Sequence, residues 1–309
     1  MEDSRRYLDP KVLNRVERLD LRARLIVEGY VAGRHRSPYK GFSVEFAEHR
    51  EYAVGDDLRF LDWKVYGKSD RLYVKQYEEE TNLVATVCLD VSTSMRYESS
   101  MNHEAGAKDT LSKFDYAATV AASLAYLVIH QQDAAGLVLF DEAVRESIPA
   151  GSRPDHLQRL LTLIEGSSGN PRTDMAMALG EVSETIRRRG LVIVISDLLD
   201  EEGRVLAGLR RLRSRRHDVV VFHVLDRDEV NFPFDRMTRF EGMEAPSPEL
   251  LCDPKSLRTA YLESLEGFRR AVRAGCLAER IDYVPLDTGT PLDVALSGYL
   301  ARRAASVRH

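Results

Sequence analysis

Residues 82–95 read NLVATVCLDVSTSM, an apolar run that stops abruptly at Asp90, Ser92 and Ser94. The β-branched and apolar residues before Asp90 predict a strand that is buried on both faces, as in a parallel sheet. Open α/β sheets bind ligands at the carboxyl ends of such strands. The aspartate and the two serines therefore place three oxygen donors, the ligand type that Mg²⁺ prefers, at the expected binding edge. The plainer alternative is a helix N-cap with a solvated serine turn.

Predicted strands and helices alternate along the rest of the chain. The predicted helices lie at residues 113–131, 155–165, 173–189, 203–213, 256–273 and 291–303, and the predicted strands at 134–140, 144–148, 191–195, 219–224 and 281–285. Strands separated by helices of about ten residues or more indicate crossover connections between parallel neighbours. The sequence therefore predicts an α/β fold of Rossmann-like type, with a doubly wound, mostly parallel sheet.

The first eighty residues have a different character. Apolar positions at helical spacing in residues 11–32 predict an amphipathic helix, and aromatic-rich runs at 42–46 and 72–77 predict strands. The many arginines and aspartates around Trp63 fit either a buried, paired network that docks this segment on the main domain or a partner-binding surface.

We therefore expect two parts, a small β-containing N-terminal accessory segment at 1–80 and a main domain at 81–309. The main domain contains a small β excursion at about 226–255, which is a candidate partner for the N-terminal strands.

Composition limits the function classes. The net charge is -5 and the pI about 6.0, which argues against nucleic-acid binding and against binding to acidic membranes. The cysteines at 88, 252 and 276 are far apart, so neither a zinc cluster nor a disulfide framework is indicated. The N-terminus MEDSRRYLDPK lacks the apolar region of a signal peptide, and the apolar stretch 114–129 is too short and too interrupted for a transmembrane helix. We expect a cytoplasmic protein.

Two more oxygen donors belong to the same predicted edge. Thr173 enters a predicted helix, and Asp197 directly follows the apolar strand LVIVI and Ser196. If this strand and the Asp90 strand are neighbours, both carboxylates meet at one edge of the sheet. The candidate ligands of Mg²⁺ or Mn²⁺ are then Asp90, Ser92, Ser94, Thr173 and Asp197, some through water, with an open position for a carboxylate from a partner. For Thr173 and Asp197 the alternative is a capping or turn role.

Longer motifs carry a family resemblance. Residues 40–80 read KGFSVEFAEHREYAVGDDLRFLDWKVYGKSDRLYVKQYEEE, and further motifs are LDVSTSM, AGLVLFDEAV, LVIVISDLLD and PLDVALSGYLARR. With these motifs nearly the whole chain resembles the bacterial domain-of-unknown-function fifty-eight family. The resemblance implies a von Willebrand factor A (VWA) fold whose metal-ion-dependent adhesion site maps onto Asp90, Ser92, Ser94, Thr173 and Asp197. It also implies a partnership with a MoxR-type AAA+ ATPase, in which this chain is a non-catalytic adaptor for the assembly or maturation of a client protein.

Rival chemistries fit the sequence less well. A haloacid-dehalogenase-like phosphatase is the enzyme alternative, because it too begins with an apolar strand that ends in a nucleophilic aspartate, here Asp90. Such enzymes carry a second aspartate two residues later, where this chain has Ser92. Residues 67–69 resemble the end of a phosphate-binding loop, but Asp62 stands where its first glycine belongs. We therefore do not expect an enzyme.

Overall fold

The computed structural model of the chain describes residues 19, 23, 46–51, 65, 67, 72–77, 83–99, 111–167, 174–243, 249–296, 298 and 299. The chain divides into two compact units, one made of Met1–His35 and Leu83–His309 and the other of Arg36–Asn82. In the smaller unit, strands β1 (Phe46–Glu51) and β2 (Tyr73–Tyr77) pair antiparallel.

The larger unit is built around a six-stranded sheet. Its strands and those of a separate hairpin are, in chain order, β3 (Val84–Asp90), β4 (Ala134–Phe140), β5 (Val144–Gly151), β6 (Leu191–Ser196), β7 (Asp218–Leu225), β8 (Thr238–Glu241), β9 (Glu249–Cys252) and β10 (Asp282–Asp287). The helices are α1 (Lys113–His130), α2 (Pro154–Glu165), α3 (Met175–Thr185), α4 (Glu202–Ser214), α5 (Arg227–Asn231) and α6 (Pro254–Ala278).

The strand order of the sheet is β10-β7-β6-β3-β4-β5. All neighbouring pairs are parallel except β4 and β5, which are antiparallel. The chain moves from β3 to β4 on one side and later returns to β6 on the other, so the winding direction reverses between β3 and β6. This confirms the predicted doubly wound, mostly parallel α/β fold and the expected adjacency of the two aspartate strands. The crevice at such a reversal is the usual ligand site of an open α/β sheet.

Helices cover both faces of the sheet, which explains the continuous apolar runs. Alternate residues of β3 enter opposite cores: Val87 and Leu89 lie in one apolar cluster, and Cys88 lies in the other. Strand β5 is at the edge of the sheet, and its residues are half-buried or exposed. The burial pattern thus follows from strand position, since only the inner strands are covered on both sides.

The β excursion differs in one respect from the prediction. Strands β8 and β9 pair with each other and form a two-stranded sheet of their own among the described strands, which corrects the expected pairing with the N-terminal strands. Aromatic contacts anchor the hairpin locally, because the Phe232 ring stacks on Phe240 and lies 4.7 Å from the ring of Tyr261.

Other element boundaries shift by a few residues. The strand expected at 42–46 overlaps β1 only at Phe46, and residues 42–45 lie outside the described residues. Among the helices that the structure describes, none has the length and apolar character that crossing a bilayer requires.

Candidate metal centre

Asp90 lies at the carboxyl end of β3 and is fully buried. Its Oδ1 accepts a hydrogen bond from the backbone N–H of Ser92 at 2.9 Å. Its Oδ2 accepts one from the hydroxyl of Ser196 at 2.6 Å, and this serine ends the neighbouring strand β6. The loop after β3 and the neighbouring strand β6 therefore each hold one oxygen of the Asp90 carboxylate in place.

The two serines of the motif lie together behind Asp90. Their hydroxyl oxygens are 3.1 Å apart, and both side chains are buried. Ser92 occupies the N-cap position of a short 3₁₀ helix, Thr93–Arg96, but within the described part of the chain its side chain makes no capping hydrogen bond. The geometry thus favours a shared role for the two hydroxyls over the capping alternative.

Asp197 follows β6 directly and is buried beside this motif. Its Oδ1 accepts the N–H of Leu199 at 3.3 Å, and its backbone carbonyl lies 3.0 Å from Nε2 of His223. The next residue, Leu198, is buried with a φ of 53°, in the left-handed region that a leucine adopts only under constraint. A strained turn therefore holds Asp197 in place.

Sequence reasoning missed a buried lysine in this centre. Lys113, the first residue of α1, is 1% exposed, and its Nζ lies 2.8 Å from Oδ2 of Asp197 and 2.7 Å from Oε1 of Glu229. A signal was present in the sequence, because a cation at a helix N-terminus opposes the helix dipole and calls for acidic partners. Ser196 was noticed only as the neighbour of Asp197, and its bond to Asp90 was missed.

The electrostatics of the centre reflect an excess of negative charge. Burial and, to a smaller extent, the nearby Asp197 charge raise the pKa of Asp90 to about 7, although hydrogen bonds from Ser196 and Ser92 oppose this rise. Burial alone would also raise the pKa of Asp197, but the Lys113 ammonium and the Ser94 hydroxyl hold that pKa below its usual range. When ionised, the three carboxylates of Asp90, Asp197 and Glu229 exceed the single ammonium of Lys113 by two charges. A divalent cation would balance this excess.

The donor set fits a hard divalent cation. Among the described residues, no group of three or more His, Cys, Asp or Glu side chains is arranged to hold a metal, so a metal bound here would need hydroxyl ligands as well. Neighbouring ligands of an octahedral Mg²⁺, each about 2.0–2.1 Å from the ion, are about 2.9 Å apart. The separation of 3.1 Å between the Ser92 and Ser94 hydroxyls is close to that value. Four predicted ligands thus lie in one hydrogen-bonded group, and the fifth, Thr173, lies outside the described residues.

A pocket of about 250 Å³ opens beside the centre. Asp197 and Glu229 lie at its polar side, and Leu199 and Phe268 contribute apolar wall. A larger cavity of about 310 Å³ is lined by residues of β10, α6 and the segment 290–298. We take the smaller pocket as the approach to the candidate centre, because a candidate ligand lines it.

The chain matches the model of the family described as "Protein of unknown function DUF58" over residues 48–269. The uncharacterized proteins Rv1480 of Mycobacterium tuberculosis and Mb1516 of Mycobacterium bovis are each 27% identical to it over 230 residues, which is 73% of this chain and 68% of each relative.

Solved structures with a similar fold include the conserved hypothetical protein BatB from Bacteroides thetaiotaomicron. That match has a TM-score of 0.47 at 16% identity, and it covers 72% of this chain and 99% of the solved chain. The SpRpn10 VWA domain matches with a TM-score of 0.38 at 8% identity, over 70% of this chain and 94% of that domain.

Proposed function

The chain belongs to the DUF58 family of proteins of unknown function, and from that premise we propose that it is a non-catalytic VWA-type binding protein. Its site would hold Mg²⁺ or Mn²⁺ and through the metal bind an acidic group on a partner protein. The ligands would be Asp90, Ser92, Ser94, Thr173 and Asp197.

One observation carries this proposal. Two buried hydroxyls, 3.1 Å apart, lie next to a fixed carboxylate at the point where the sheet reverses its winding direction. Buried hydroxyls and carboxylates with an uncompensated negative charge are costly unless a cation accompanies them. The arrangement is therefore best explained as a binding site for a hard cation.

The protein side chains would have separate tasks. Ser92 and Ser94 would offer neutral oxygen ligands, while Asp90 and Asp197 would supply the negative charge. Ser196 would keep the Asp90 carboxylate in its present orientation through the bond of 2.6 Å. The bound metal would supply positive charge at an open coordination position, where a carboxylate of the partner could bind.

The partner that we propose to test first is a MoxR-type AAA+ ATPase, with this chain as an adaptor in the assembly or maturation of a client protein. The support for the ATPase is the family resemblance of the signature at residues 40–80, all of which belongs to the smaller unit Arg36–Asn82. The metal centre would then bind the client, and the smaller unit is the candidate contact for the ATPase.

The phosphatase alternative gains no support from the geometry. A nucleophilic aspartate must attack the substrate directly, whereas both oxygens of Asp90 accept hydrogen bonds and the side chain is fully buried. A metal ligand can instead act through a bound water, so the same burial does not exclude the proposed role in metal binding. The position two residues later carries Ser92, which cannot serve as a carboxylic general acid.

Metal-dependent complex formation tests the proposal. The purified chain would be mixed with a MoxR-type ATPase from the same source and with a lysate of that source, in Mg²⁺ or in chelator, and bound proteins would be identified after capture. We expect at least one specific partner to be retained only with Mg²⁺ and to be lost with Asp90→Asn. The matched control is Asp218→Asn, at an exposed carboxylate at the start of β7. Clients that bind equally well in chelator, or hydrolysis of a phosphate ester that Asp90→Asn abolishes, would contradict the proposal, whereas an ATPase bound through the smaller unit should be retained in both conditions.

A further inference from the structure

Lys113 places a positive charge inside the candidate metal centre. Its Nζ is bound to Asp197, a proposed metal ligand, at 2.8 Å and to Glu229 at 2.7 Å. The side chain is almost completely buried, so this ammonium cannot move into solvent without opening the structure. Lys113 therefore already occupies one oxygen of a carboxylate that the metal would use.

The lysine is held from several directions. Its backbone N–H donates to the carbonyl of Tyr97, in the loop that follows the serine motif, at 3.0 Å. Its second partner, Glu229, lies in α5 and also accepts the backbone N–H of Asp226 at 2.7 Å. Through its backbone N–H and its ammonium, Lys113 thus links the metal-motif loop, the end of β6 and α5. Because a buried carboxylate is costly without a cation, Lys113 supplies part of the charge that Asp197 needs when the metal is absent.

We infer that Lys113 is a resident cation that competes with the divalent metal for Asp197 and so weakens metal binding to the free protein. This inference rests on the proposed function, since it assigns a positioning role toward the same metal. It has a consequence for the partner. Lys113 neutralises part of the negative charge that would attract the metal. A carboxylate from the partner restores this negative charge, so the metal and the partner bind cooperatively. Each then raises the affinity of the protein for the other by the same factor.

Two variants should shift metal affinity in opposite directions. Lys113→Met removes the competing charge while keeping an unbranched apolar stem, and we expect it to bind Mn²⁺ at least tenfold more tightly than the unchanged protein. Glu229→Gln leaves the proposed ligands intact but makes Asp197 the one charged partner of Lys113 among these residues, and we expect Mn²⁺ binding at least threefold weaker. A lysine with only a structural role would leave both affinities unchanged or would weaken both.

The experiment is a Mn²⁺ titration of the full chain, in which electron paramagnetic resonance measures the free ion. Lys255→Met is the matched control, because Lys255 is exposed at the start of α6 and its loss should not change the affinity. Asp90→Asn reports whether binding occurs at the candidate centre, and circular dichroism reports whether each variant is folded.

The outcomes separate this inference from the proposed function. Binding that Asp90→Asn abolishes, together with opposite shifts in the two variants, supports both. Binding that appears only in Lys113→Met also supports the inference, since the lysine then excludes the metal from the free protein. If Asp90→Asn abolishes Mn²⁺ binding but Lys113→Met leaves the affinity unchanged, the inference is overturned and the proposed function is not. If none of the variants binds Mn²⁺, the inference and the proposed function are both overturned. If Lys113→Met does not fold, Glu229→Gln decides, and an unchanged or higher affinity overturns the inference.

Discussion

Replacing Ser196 by alanine should lower the unfolding free energy by about 3 kcal/mol, although the change removes only one oxygen atom. The Ser196 hydroxyl donates to Oδ2 of Asp90 at 2.6 Å and accepts the backbone N–H of Leu198 at 2.9 Å. All three residues are fully buried, so water cannot replace the lost partner. The variant would therefore leave one acceptor of Asp90 and one backbone donor unsatisfied.

The magnitude follows from the two contacts. A hydrogen bond to a charged group contributes about 1.5–3 kcal/mol, and a neutral one about 1 kcal/mol. Their sum is about 2.5–4 kcal/mol, and we expect a loss near the middle of this range, about 3 kcal/mol. The full value applies where Asp90 is ionised, which requires a pH above its raised pKa of about 7.

The assay is equilibrium unfolding in urea at about pH 8, followed by far-ultraviolet circular dichroism. Ser123→Ala is the matched control, because that hydroxyl is equally buried but donates only to the carbonyl of Thr119, which the α1 helix already uses. The control should lose less than about 1 kcal/mol. If Ser196→Ala is no more destabilising than Ser123→Ala, the account of how Asp90 is held is wrong.

Two further predictions concern stability. Burial raises the pKa of Asp226 to about 6 from an ordinary value near 3.9, so the stability it contributes is complete below about pH 4 and is lost as the pH rises through about 6. Urea unfolding would measure the difference in unfolding free energy between the unchanged protein and Asp226→Asn. We expect this difference to fall by up to about 3 kcal/mol between about pH 4 and pH 7. A difference that stays constant over this range would contradict the prediction. At Gly190, a Cβ would clash with the carbonyl oxygen of Val84, so Gly190→Ala should cost about 2 kcal/mol or more. Gly267→Ala, where the Cβ would meet nothing within 4 Å in the middle of α6, should instead stabilise by about 0.5–1 kcal/mol, and thermal denaturation compares the two.

The fold could be predicted because its signals are local. The buried runs at 84–89 and 191–195 and the long helical patterns between strands fix a doubly wound sheet, and the polar residues after Asp90 mark its ligand edge. The hairpin β8–β9 could not be placed, because a pair of short strands carries no sequence signal that says which strand it joins.

The contacts of the site were less predictable because they depend on register and helix placement. Ser196 meets Asp90 because the pairing of Leu89 with Ile195 brings the next residues of both strands together. Lys113 lies 84 positions before Asp197, and its contact depends on how α1 packs against the sheet. Such side-chain contacts depend on tertiary packing, which the spacing of residues along the chain does not determine.

Thermal stability with and without metal tests the central claim most directly. The purified chain, Asp90→Asn and Lys113→Met would each be heated in saturating Mn²⁺, in saturating Mg²⁺ and in chelator. A metal at about one hundred times its dissociation constant stabilises a protein by about 2.7 kcal/mol, which corresponds to a shift of several degrees for a unit of this size. The account predicts that shift for the unchanged chain and its loss in Asp90→Asn. Equal melting temperatures in metal and chelator for both the unchanged chain and Lys113→Met, or an equal shift in the unchanged chain and Asp90→Asn, would contradict it.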